Sequence, residues 1–290
     1  MKPAEKRSFV EFLCRHLVGL SVLVRETGGE RKEQTEVWTC FVMEVLGRWF
    51  LVSAGHCVRR MESILTATNY EVLEWGLYDG WASWSRHSLV PFNFADARRY
   101  FVDDDELGLD VGVIEVDPLL QRTLAAGGIE PLTPTTWLNP PETFLRHFMV
   151  GQPSELIRRV HEGPRLADCR LGPAMLAVEE CPPPESMVKP VPRFYAKVAG
   201  PMEFKDGTVL SDLDGMSGGP IFGFHQRPDG QFAYYLVAVQ GSWSEKHNVV
   251  AAARASWVGH ALALAVDSGE PNALAEIFTV PAAPAPPQGP

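Results

Sequence analysis

Short apolar runs, each soon cut off by Gly, Asp, Asn or Pro, are the feature that most limits how this chain can fold. The first half carries "VGLSVLVRE" (18–26), "WTCFVMEVLG" (38–47), "RWFLVSAGH" (48–56), "VLEWGLY" (72–78) and "DVGVIEV" (110–116). Runs of this length, rich in β-branched and aromatic residues and bounded by turn formers, are strands of an antiparallel barrel or sandwich. The second half continues the style with "FLRHFMVGQP" (144–153), "RFYAKVAGP" (193–201), "GPIFGFHQ" (219–226) and "FAYYLVAVQGSW" (232–243). Between the last two, "RPDGQ" (227–231) holds Asp229-Gly230, a dipeptide suited to the positive φ of a hairpin turn.

Two stretches break this pattern. Phe9, Phe12, Leu13 and Cys14 within 6–16, and Trp257, Ala261, Leu262 and Val266 within 254–267, recur at helical spacing, predicting a short N-terminal and a closing C-terminal helix. From 118 to 142 the chain reads as a loop crossing between half-domains, with Pro118, Gly127-Gly128, Pro131, Pro134 and Pro140-Pro141. The expected organisation is a helical extension (1–16), a first β-unit (17–130), a second with its closing helix (131–270) and a proline-rich tail (271–290).

Composition narrows the function. With 46% hydrophobic and 21% charged residues, disorder is excluded as the main state. A net charge of -10, with the basic pairs Arg59-Arg60, Arg98-Arg99 and Arg158-Arg159 scattered, speaks against nucleic acid as a partner. The cysteines form no C-x-x-C pair, and no phosphate loop, dinucleotide fingerprint, H-E-x-x-H or EF-hand occurs, so neither metal nor cofactor is expected. The apolar "LVGLSVLV" (17–24) is approached through Glu11, Arg15 and His16 and lacks a small-x-small cleavage site after it. The expectation is a cytoplasmic protein with no membrane span and reduced thiols.

Three segments carry chemistry. "RWFLVSAGHCV" (48–58) runs an apolar strand into small residues and then His56; taken alone, a histidine at a strand end need have no task. "ELGLDVGVIEV" (106–116) sets Asp110 among apolar neighbours, where a carboxylate is costly unless a donor such as an imidazole N–H faces it. "DGMSGGPIFGF" (214–224) places Ser217 among glycines, which permit a reversal that turns backbone N–H groups toward one point. It is either a nucleophile or the hydroxyl of a tight corner.

Together and in this order, "SAGHC", "LDVGVI" and "DGMSGGP" resemble the chymotrypsin-like serine peptidases, over roughly 17–267. The resemblance implies an all-β fold of two six-stranded antiparallel β-barrels with the active site between them. It implies that Ser217 is the nucleophile, His56 the general base and Asp110 its orienting acid. The N–H groups of Gly215 and Ser217 would form the oxyanion hole. Ser211 would floor the primary pocket, expected to favour an apolar or small side chain, and Gln240, Gly241 and Ser242 would line the substrate. Met216 stands where secreted relatives carry an aspartate that pairs with a new N-terminus, and no "R-I-V-G-G"-like cleavage point precedes the first strand. The expected enzyme is therefore constitutively competent or held by a regulatory protein partner, with Asp214 as a substitute contact, and acts on one or few intracellular proteins. Cys40 and Cys57 fall where the family often has a disulfide, and are expected here as buried thiols.

Two alternatives stay open. "GMSGG" also satisfies G-x-S-x-G, the nucleophile elbow of α/β-hydrolases, with Asp229 and either His247 or His260 in the matching order. A peptide-binding module of the same fold without chemistry is the other.

Overall fold

The computed structural model describes residues 9–28, 32–79, 89–159, 169–199 and 209–268. The proline-rich tail (271–290) and the first residues of the expected N-terminal extension lie outside them. Seven strands form the first sheet: β1 (Leu17–Glu26), β2 (Glu33–Val45), β3 (Arg48–Ser53), β4 (Tyr70–Tyr78), β5 (Leu89–Pro91), β6 (Arg99–Asp104) and β7 (Leu109–Val116). After them come β8 (Arg146–Gly151), the short pair β9 (Arg158–Arg159) and β10 (Cys169–Arg170), then β11 (Ala174–Glu180), β12 (Arg193–Val198), β13 (Pro220–Gln226), β14 (Phe232–Ser244) and β15 (Val249–Arg254). The helices are α1 (Phe9–Cys14), α2 (Gly55–Thr66), α3 (Pro118–Gly127), α4 (Pro134–Trp137) and α5 (Ala255–Ser268).

The second half closes as expected, a six-stranded barrel in the order β11-β12-β15-β14-β13-β8. The first half departs from the expectation of a second six-stranded barrel. Its order is β5-β4-β1-β2-β3-β7-β6, seven strands with β5 and β6 at the edges and no ladder between them among the described residues. Part of the reason is α2. Its buried face, Val58, Met61 and Ile64, enters the same apolar cluster as Trp75, Phe94 and Ile114, so a helix fills core space that inward side chains of a closed sheet would occupy.

The crossing read as loop contains two helices. Asp117 accepts the N–H groups of Leu119 and Leu120, Pro118 starts α3, and Gly128 ends it at φ 95°. The Pro and Gly that suggested a loop are the start and stop signals of a helix. The expected terminal helices are present: Leu13 and Cys14 of α1 are buried, and α5 buries Val258, Ala261, Leu262 and Ala265. Every ladder between named strands is antiparallel. A strand, β13, follows Ser217 where the nucleophile elbow requires a helix, and this sets aside the α/β-hydrolase alternative.

Candidate active site

His56 sits in the first turn of α2, where backbone N–H groups lack intrahelical acceptors. Ala54 at the N-cap position makes no side-chain cap. Asp110, on β7, takes that role: its Oδ1 accepts the His56 backbone N–H at 2.9 Å, and its Oδ2 meets His56 Nδ1 at 2.8 Å. One carboxylate thus fixes both the backbone and the ring of the histidine, and leaves Nε2 pointing away from it. Gly55 makes the approach possible, since a Cβ there would stand 1.8 Å from the Val102 carbonyl oxygen.

Across the β6–β7 ladder, Asp103 stands opposite Asp110. Arg59, one helical turn after His56, pairs with Asp103 at 2.5 Å. Burial and the charge of Asp110 push the Asp103 carboxyl upward, with Arg59 opposing. The His56 imidazole is pushed up to about 10, first by its bond to Asp110 and next by the Cys57 thiol, against burial. That thiol contact is specific: Cys57 Sγ lies 3.4 Å from His56 Nε2. Cys40 and Cys57 are free and buried, and burial pushes the Cys40 thiol up to about 12.

Ser217 reaches the same place from the barrel of the second half. Its loop is stitched to β14 by Gly218 N–H donating to the Gln240 carbonyl at 2.8 Å and Gln240 N–H donating to the Gly219 carbonyl at 2.9 Å. The β14–β15 ladder then skips Gly241. Ser217 Oγ donates to the Gly241 carbonyl at 3.4 Å, and a Cβ on Gly241 would stand 2.9 Å from Asp110 Oδ2. Gly241 therefore touches both halves of the site, and brings Ser217, Asp110 and His56 into one cluster. Among the described residues, no hydrogen bond joins Ser217 Oγ to His56.

The turn around Ser217 uses some of its N–H groups and spares others. Met216 donates to the Leu213 carbonyl at 3.0 Å and Gly219 to the Met216 carbonyl at 2.9 Å. The N–H groups of Gly215 and Ser217 have no acceptor among the described residues. Gly215 holds φ 85°, and a Cβ there would meet the Gln152 carbonyl oxygen at 2.6 Å, so both conformation and space call for glycine. Thr39 of β2 fixes this corner: its hydroxyl donates to the Gly215 carbonyl at 2.7 Å and accepts the Gln152 N–H at 2.8 Å. Ser53 holds Thr39 in turn, donating to its carbonyl at 2.9 Å. Neither Thr39 nor Ser53 stands out in the sequence, because their roles arise only where β2 and β3 meet the second half of the chain.

The remaining expected residues are placed unevenly. Ser211 is exposed and tied to Glu155, which accepts both its hydroxyl and, at 3.0 Å, its N–H. Gln240 is buried with its Oε1 unpartnered among the described residues. Ser242 is exposed and accepts from Arg193 Nη2 at 3.0 Å. Met216 is buried, packed against Gly151. Asp214 accepts the Ser154 N–H with its carbonyl at 2.8 Å. A cavity of about 830 Å³ lies elsewhere, between α1, β13 and β14, lined by Phe9, Phe12, Phe148, Phe224 and Tyr234. No group of three or more His, Cys, Asp or Glu among the described residues is arranged to hold a metal ion. No described helix is long and apolar enough to cross a membrane.

No family model and no curated protein matches this chain. Three of the solved structures that it resembles are proteases. A thermostable serine protease, AL20, from an extremophilic microorganism aligns at TM-score 0.44 and 12% identity, over 87% of this chain and 96% of the other. Protease Anisep from Arthrobacter nicotinovorans aligns at 0.43 and 13%, over 83% and 90%. The catalytically active tobacco etch virus protease complexed with product aligns at 0.39 and 10%, over 87% and 77%.

Proposed function

We propose that this protein is a serine endopeptidase in which Ser217 is the nucleophile, His56 the general base and Asp110 the acid that orients it. The observation that carries the reading is the shared contact at Gly241, which touches Ser217 Oγ and Asp110 while Asp110 grips His56 twice. Ser217 Oγ attacks a peptide carbonyl as its proton passes to His56 Nε2. The C–N bond then breaks, with that proton leaving on the amine, and water releases the acyl group by the reverse route. Asp110 keeps Nδ1 protonated and stabilises the imidazolium. The spare N–H groups of Gly215 and Ser217 are the donors for the developing oxyanion; each such donor is worth about 3 kcal/mol in the transition state. Met216, buried and uncharged, offers no carboxylate for a newly cut N-terminus, in keeping with an enzyme switched by a partner or not at all.

A second reading, a peptide-binding module without chemistry, is favoured by one feature: Ser217 Oγ bonds to Gly241 while Cys57 Sγ meets His56 Nε2. Labelling with a fluorophosphonate separates the two. The peptidase reading expects modification of wild type, none of Ser217→Ala and little of His56→Ala. Equal labelling of wild type and Ser217→Ala, or none of either, would falsify it.

A further inference from the structure

Arg193 forms no ion pair with a carboxylate among the described residues. It enters at the start of β12, and its Cδ would lie 3.3 Å from a Cβ on Gly108, so it reaches the edge of the first sheet. Its Nη2 donates to the Ser242 hydroxyl at 3.0 Å and to the Ala251 carbonyl at 3.1 Å, both neutral acceptors. Its Nε is buried with no partner among the described residues. Burial works against its charge, with Asp110 and Asp105 favouring it from a distance.

The neighbouring cations differ. A groove of about 290 Å³ opens beside Arg193, and Lys189 and Arg254 also line it. Lys189 pairs with Asp105 at 3.3 Å and Arg254 with Glu180 at 3.8 Å. A half-buried guanidinium bonded only to neutral oxygens is costly to keep, and its fork of donors matches a carboxylate. Ser242, which it holds, is exposed and directly follows Gly241, the residue in contact with Ser217 Oγ.

We propose that Arg193 is a specificity residue that binds an acidic side chain of the substrate, at a position away from the scissile bond where the peptide runs along Ser242. The inference rests on the peptidase reading above and names its substrate class as acidic peptides. A carboxylate at this subsite takes the Nη1 donors at the accessible end of the guanidinium, while Ser242 and Ala251 hold Nη2 in place. Cleavage itself does not involve Arg193.

The test is digestion of a proteome-derived peptide library by the full chain, followed by matched peptides with Glu or Gln at the enriched position. Wild type is expected to enrich Glu or Asp at one position and to cut the Glu peptide about tenfold faster in kcat/KM than its Gln twin, as a charge-assisted bond warrants. Arg193→Gln brings the ratio close to one. Arg193→Lys, which keeps the charge and loses the fork, gives an intermediate ratio and serves if the glutamine variant does not fold. An enzyme labelled at Ser217 that shows no acidic enrichment, or whose ratio survives in Arg193→Gln or is unchanged in Arg193→Lys, overturns this inference and leaves the peptidase reading standing. Absence of Ser217 labelling in wild type overturns both.

Discussion

Gly241 packs directly on Asp110: a Cβ at position 241 would stand 2.9 Å from Asp110 Oδ2 and 3.2 Å from the Asp110 Cβ. Asp110 cannot yield freely, because both of its oxygens are committed to His56. Gly241→Ala therefore tilts either the carboxylate or the β14 bulge that presents the carbonyl to Ser217. The expected result is a loss of at least about tenfold in fluorophosphonate labelling rate, in line with the sensitivity of reacting groups to small displacements. The melting temperature changes little, since β14 remains paired on either side. Labelling at the wild-type rate would show that the contact at Gly241 does not govern the geometry.

The His56–Asp110 pair sets the pH dependence. His56 must be neutral to accept a proton, and its pKa is raised from 6.5 to about 10, with the Asp110 bond as the largest cause. Labelling should therefore climb as pH rises, with its midpoint well above 6.5. Asp110→Asn moves that midpoint down while lowering the plateau, because the ring loses its negative partner and the acceptor that keeps Nδ1 protonated. Stability runs the other way. A folded-state pKa above the unfolded one gives stabilisation that is complete below about 6.5 and is lost as pH rises toward 10. Melting curves across that window, for wild type against Asp110→Asn, check the sign.

Cys57 competes for the nitrogen that the reaction needs. Its Sγ lies 3.4 Å from His56 Nε2 and is the second cause of the raised pKa. Cys57→Ala frees Nε2 and removes that contribution, so labelling at neutral pH should rise and the midpoint of its pH profile should fall. The cost is a small cavity beneath α2, about 1 kcal/mol of stability. A variant that labels more slowly than wild type at every pH would mean that the thiol supports the base.

How far the site was legible in the sequence depended on how local its signals are. His56, Asp110 and Ser217 each sit in a contiguous run of small or apolar residues, and those runs are visible without a fold. The helix that carries His56 was not visible, because Ala54 stands where a capping Ser, Thr or Asp would announce it and the cap comes instead from Asp110. Helix α3 was obscured in the opposite way: Pro118 and Gly128 are strong signals, but loop and helix end share them. The open seven-stranded sheet follows from which edges pair, a long-range choice that strand periodicity does not encode. Thr39 and Arg193 are ordinary residues in sequence; Thr39 acquires its role from Gly215 and Gln152 in the other half of the chain, and Arg193 from Ser242 and Ala251 on strands far along the sequence.

Thr39 supplies the sharpest test of how the two halves are joined. Its hydroxyl is the single link between the Gly215 carbonyl and the Gln152 N–H, and the residue is fully buried. Thr39→Val keeps shape and volume while leaving a buried acceptor and a buried donor unpaired. The expected loss is about 2–6 kcal/mol in denaturant unfolding, from two unsatisfied groups at about 1–3 kcal/mol each. Labelling at Ser217 should slow as well, because the turn that presents Ser217 then loses the bond that anchors its Gly215 carbonyl. Thr39→Ser restores the hydroxyl and should recover most of both effects. If valine is as stable and as reactive as threonine, the corner is held by the glycine geometry alone, and the two sheets are not coupled through this hydroxyl.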